Sequence, residues 1–109
     1  MEINISSKIF AALAQESRLA ALSLLVRAGP GGKQAGAIAE ALDLPAPTMS
    51  FHLKELARAG LIHARKDGRK VIYAADYGGL RDFIDYLLAD CCNGDRRLCG
   101  PYIVKEPAP

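Results

Sequence analysis

Apolar residues recur at helical spacing in five stretches of this chain and form strand-like runs in two more. Ile9, Phe10 and Leu13 mark a short first helix over Ser7 to Ala14. Leu19, Leu22, Leu25 and Val26 predict a second over Glu16 to Arg27, which Gly29-Pro30-Gly31-Gly32 stops. Gln34 to Leu42 is rich in alanine, with Ile38 and Leu42 one turn apart, and reads as a small third helix. Asp43-Leu44-Pro45-Ala46 makes a turn. A fourth helix then starts at Ala46 or Pro47 and runs to Ala59, where Gly60 suits a C-terminal cap. Its inward stripe is Met49, Leu53, Leu56 and Ala57.

The period then changes. Leu61 to Arg65 and Lys70 to Ala74 are strand-like runs around Lys66-Asp67-Gly68-Arg69, and Asp-Gly favours a tight hairpin turn that needs positive φ. A last helix begins near Gly79 and carries Leu80, Phe83, Ile84, Leu87 and Leu88 on one side. Cys91 and Cys92 close it before Asn93-Gly94. Two short helices joined by a turn of this length form a helix-turn-helix whose second helix can enter a major groove. The hairpin directly after it is a wing. The fold class expected is mainly α with a small β-hairpin wing, a winged helix-turn-helix. Residues 1–90 form its DNA-binding and dimerisation domain, and residues 91–109 form a cysteine-containing tail.

At 109 residues there is room for one domain. Half the residues are apolar and 24% charged, a globular composition and not a disordered one. The longest apolar runs, such as Ala20 to Val26, fall far short of the roughly 20 residues that span a bilayer. Met1-Glu2-Ile3-Asn4 lacks the pattern of a signal peptide. A cytoplasmic protein without a membrane partner is the expectation. Three cysteines clustered near one end suit a reducing compartment better than a disulfide framework.

Net charge is only +2, but it is unevenly placed. Between His52 and Lys70 stand Lys54, Arg58, Arg65, Lys66, Arg69 and Lys70 against Glu55 and Asp67 alone. Everything outside that strip is slightly acidic. A local basic face is what double-stranded DNA rewards, through release of counterions from phosphate; a merely solvated hairpin is the plainer alternative. An enzyme is not expected. No activated nucleophile, paired base or phosphate loop is present, and cysteines at a helix C-terminus lack the N-terminal dipole that activates a thiol.

Phe10-Ala11-Ala12-Leu13-Ala14-Gln15-Glu16-Ser17-Arg18-Leu19-Ala20-Ala21-Leu22 resembles the opening signature of the ArsR/SmtB metalloregulators. Ile38 to Leu42 together with Pro47-Thr48-Met49-Ser50-Phe51-His52-Leu53-Lys54-Glu55-Leu56 is similar to their helix-turn-helix. Ala59-Gly60-Leu61-Ile62, the Gly68-Arg69 tip and Tyr73 fit as well, so the likeness covers residues 7–90. It implies a homodimeric repressor, paired through first and last helices, that leaves an inverted-repeat operator when an inducer binds. Thr48, Ser50, Phe51, His52, Lys54 and Arg58 would then face DNA with the wing residues Arg65, Lys66, Arg69 and Lys70. Ile9, Phe10, Leu80, Phe83, Ile84, Leu87 and Leu88 would form the dimer interface. A small chain with a thin core points the same way, because a second copy can cover what the last helix exposes.

Two departures from the family stand in the reading helix. Pro45-Ala46 replaces the usual Ser-Gln, removing a hydroxyl N-cap typically worth about 1 kcal/mol. Phe51 occupies a position that is commonly His; it can touch thymine methyls or simply cover surface.

The family's inducer sites differ in place. The predicted third helix has no cysteine, the last no histidine and the second no cysteine, so three of the known sites lack their ligands here. Cys91, Cys92 and Cys99 remain, a soft donor set that favours a thiophilic ion. They resemble the cysteine pair and third cysteine of arsenic repressors, which implies As(III) as the inducer. Sb(III), a methylated arsenical or Bi(III) shares that chemistry. A regulatory disulfide and cysteines with no ligand are the other readings.

Overall fold

The computed structural model describes residues 1–92, with side chains through Ala89. Five helices and three strands follow one another as α1 (Ile3–Leu13), α2 (Glu16–Ala28), β1 (Lys33–Gln34), α3 (Ala35–Ala41), α4 (Ala46–Arg58), β2 (Ile62–Asp67), β3 (Lys70–Ala75) and α5 (Tyr77–Cys92). This is the winged helix-turn-helix that the periodicity predicts. Leu25, Ile38, Met49, Leu53, Leu56, Leu61 and Ile62 are fully buried at its centre. Each helix from α2 to α4 contributes at least one of them.

The wing is more regular than the sequence suggests. β2 and β3 pair antiparallel from Ile62 opposite Ala75 out to Asp67 opposite Lys70, leaving only Gly68 and Arg69 in the loop. Within this loop positive φ is confined to Gly68, at 65°, the pattern of a hairpin turn with glycine in its first loop position. β1 adds a third strand, Lys33 opposite Tyr73 and Gln34 opposite Ile72, giving the order β1-β3-β2. Two polar residues carry no alternation, so this strand is invisible to pattern and exists because β3 offers it a free edge.

Two helix starts and one buried face differ from expectation, each for a local reason. α1 begins at Ile3, four residues early, where Ser6 turns its hydroxyl back to the Ile3 carbonyl at 3.0 Å. α2 packs through Ala21, Leu22 and Leu25, while Leu19 and Val26 lie about 100° round the helix and stay exposed. α5 starts at Tyr77 because Asp76 caps it: its Oδ1 accepts the Gly79 amide at 2.9 Å. Asp76→Ala is expected to lower unfolding stability by about 1 kcal/mol, read from denaturant midpoints at one fixed protein concentration.

Two residues assigned to the dimer interface belong to the protomer's own core. Ile9 and Phe83 are buried, and Phe83 meets the Phe10 ring edge-on at 5.1 Å. Phe10 and Ile84 remain about half exposed, while Leu80, Leu87 and Leu88 are half-buried. The core takes the Phe83 edge of the α5 stripe and leaves the Ile84 edge in solvent. Ile3, two turns from Phe10 on the same side of α1, extends this uncovered surface.

Candidate nucleic-acid interface

α4 owes its position to one stripe. Met49, Leu53 and Leu56 are buried without residue, so the opposite arc must face water. Phe51, Lys54 and Arg58 occupy that arc and are exposed, with exposed Thr48 and half-buried Ser50 on its shoulders. The helix begins without a side-chain cap, as Pro45-Ala46 predicts. Pro47 offsets part of that loss, because at the second helical position it has no N–H that needs an acceptor. The entry end of the reading helix is therefore small, rigid and apolar.

His52 is the correction. It stands three residues from Met49 and four from Leu56, on the edge of the inward stripe, and is only 8% exposed. Its Nδ1 lies 3.4 Å from Nη1 of Arg18. A guanidinium can only donate, so Nδ1 accepts and the ring proton sits on Nε2. Arg18 in turn donates through Nε to the Ala12 carbonyl at 2.7 Å, while its own amide bonds Gln15 Oε1 at 2.9 Å. His52 thus braces the reading helix against the α1–α2 joint instead of facing DNA. Nothing in the sequence singles out Arg18 for this role, since the pairing spans 34 positions and has no local signature.

The wing's cations do not share one face. Lys66 pairs across from Val71, Arg65 from Ile72 and Lys70 from Asp67, so Lys66 points to one side while Arg65 and Lys70 point to the other. Arg69 occupies the tip. Arg65 also reaches back to the Gly31 carbonyl at 3.1 Å, tying the wing to the turn after α2. Arg58 bonds Glu55 at 2.7 Å on an exposed face, which softens its charge without covering it. α4 thus presents an exposed apolar ring with Lys54, while the hairpin carries its four basic side chains on two faces and the tip.

Residues 13–65, from the end of α1 into β2, match the helix-turn-helix domain family. Among curated proteins, a probable mercury resistance operon repressor from Streptomyces lividans is 30% identical over 90 residues, covering 83% of this chain and 68% of the relative. An ArsR-like transcriptional regulator from Rhodococcus sp. RHA1 superposes with a TM-score of 0.73 at 28% identity, over 96% of each chain. The chain belongs to the ArsR-type winged-helix regulators. A further solved structure, the homodimeric winged helix-turn-helix DNA-binding domain of a possible ArsR-family regulator from Mycobacterium bovis, is 30% identical with a TM-score of 0.66, over 81% of each chain. The ArsR-type protein is accordingly a DNA-binding transcriptional regulator and not an enzyme.

Among the described residues no group of three His, Cys, Asp or Glu side chains converges as a metal site. Cys91 and Cys92 end the α5 backbone, but their side chains and Cys99 lie outside the described residues. No single helix among the described residues is long and apolar enough to cross a membrane.

Proposed function

We propose that the protein is a dimeric repressor that holds an inverted-repeat operator and releases it when As(III) is bound by Cys91, Cys92 and Cys99. The observation that carries this reading is the course of α5. One helix presents the uncovered Ile84 edge beside Phe10 and runs on to end at the Cys91-Cys92 pair. A second copy covering the apolar edge would bring the end of α5 close to the contact that sets the spacing of the two reading helices. Ligation that tightens the helix end then biases that spacing. A coupling of about 1–3 kcal/mol corresponds to roughly 5- to 150-fold weaker operator binding.

Titration of a labelled inverted-repeat fragment with and without arsenite tests this. Release is expected from the parent and not from Cys99→Ser, with thiolate-to-arsenic charge-transfer absorbance at one metalloid per protomer. Equal release from both proteins overturns the assignment.

Mercury is the second reading, supported by the likeness to a probable mercury resistance operon repressor. Proton balance separates the two. Neutral arsenous acid exchanges three hydroxyls for three thiols and releases three waters, with no net proton. Hg(II) supplied as its chloride complex in excess chloride instead releases chloride and displaces one proton from every thiol it takes. Apparent affinity for arsenite is therefore flat between about pH 6 and 7.5, whereas affinity for Hg(II) rises with pH in proportion to the thiols bound.

A further inference from the structure

A cleft of about 320 Å³ opens between α1, the start of α2 and the last turn of α4. Its walls carry Lys8, Arg18 and Arg58 over the small side chains of Ala11, Ala12 and Ala59. Glu55 also lines it, but its carboxylate is engaged by Arg58 at 2.7 Å. Three cations thus face one carboxylate, an excess of two positive charges around an alanine-walled hollow.

Arg18 makes this more than a basic patch. It is half-buried and, among the described residues, has no carboxylate partner. Its contacts are the Ala12 carbonyl and His52 Nδ1, both neutral, and they take two of its five N–H donors. The bond to Ala12 fixes the guanidinium in place, so a ligand meets a fork already oriented. A cation held away from full solvent with spare donors and no counter-ion is satisfied by an oxyanion, which guanidinium recognises bidentately. The hollow is the size of the smaller ligand pockets, and its three alanines leave room for a short apolar body.

We propose that this cleft binds a small organic oxyanion, a carboxylate or phosphate monoester on a short apolar body. Arg18 grips it, and Lys8 and Arg58 close over it. The proposal does not depend on the arsenite reading.

The test uses the full chain, followed by amide NMR shifts while benzoate, phenyl phosphate or neutral benzamide is titrated. Saturable shifts clustered at Lys8, Ala11, Ala12 and Ala59 are expected with one or both anions, and the tighter of the two names the head group. Arg18→Gln should weaken that anion at least tenfold. Because Arg18 also braces His52, the exposed Lys8→Ala is the safer variant, and about threefold weakening is expected there with the fold unchanged. Benzamide binding as well as benzoate, or no saturation by either anion at millimolar concentration, overturns the proposal. So does a drop in the salt dependence of operator binding on Lys8→Ala, which would make the cleft a seat for DNA phosphate.

Discussion

Replacing Gly79 with alanine is expected to destabilise the protein by about 3 kcal/mol, although alanine is the better helix former. In an ordinary helix interior that exchange gains up to about 1 kcal/mol, because glycine loses more backbone entropy on folding. Here a Cβ on Gly79 would stand 2.1 Å from the Gly60 carbonyl oxygen and 3.3 Å from its carbon. Both atoms are backbone, at the turn that joins α4 to β2, and that turn is pinned. The Gly60 amide bonds Ala57 O at 3.0 Å, and the Leu61 amide bonds Leu56 O at 3.1 Å. Neither side can yield alone, so α5 must lift away and loosen Phe83 from Phe10. Overpacking of this kind costs about 1–3 kcal/mol, and the forced helix shift puts this case at the upper end.

The control is its neighbour. A Cβ on Gly78 meets nothing closer than Asp76 Oδ1 at 3.5 Å, an ordinary contact. Gly78→Ala should therefore gain about 0.5 kcal/mol, so adjacent glycines in one helical turn change stability in opposite directions. Thermal or denaturant unfolding of the two variants at equal protein concentration decides it; parallel effects of either sign would refute the close-approach argument. Since α5 also carries the proposed sensor end, Gly79→Ala should weaken dimer and operator binding together.

Removing Lys66 and Arg69 should change operator binding more than any other pair of wing residues. Both are exposed on the hairpin beyond the last buried residue of β2, and neither supports the core. Each phosphate contact contributes about 0.9 to the slope of log affinity against log salt. Two side chains in each protomer of a dimer make four contacts, so the double alanine variant should flatten the slope by about 3.6. Between about 50 and 200 mM salt the parent then loses about a hundredfold more affinity than the variant. Arg65 is a poorer choice for this experiment. Its bond to Gly31 gives it a structural share, and its loss would mix wing position with charge. An unaltered slope in the double variant would mean that the hairpin stands clear of the backbone.

Much of the fold was legible because it rests on local spacing. Met49, Leu53 and Leu56 recur with the α-helical period, Asp67-Gly68 marks a tight turn, and the basic strip lies in one continuous segment. Each of these signals is held within one continuous stretch of at most nineteen residues. The errors have a common source. His52 reads as an outward polar residue only while Arg18 is ignored, and Arg18 lies 34 positions away. Ile9 and Phe83 look like interface residues until their own core claims them.

Periodicity and charge along the chain were sufficient to determine a winged helix-turn-helix with a basic reading face, because amphipathic patterns and turn chemistry act between near neighbours. Only the folded arrangement decided which edge of α5 stays uncovered, that β1 joins the sheet, that His52 turns inward, and that Lys8, Arg18 and Arg58 surround one hollow. Those are contacts between distant segments. Burial and pairing there depend on which surfaces meet once the helices have packed, and no short stretch of sequence carries that information.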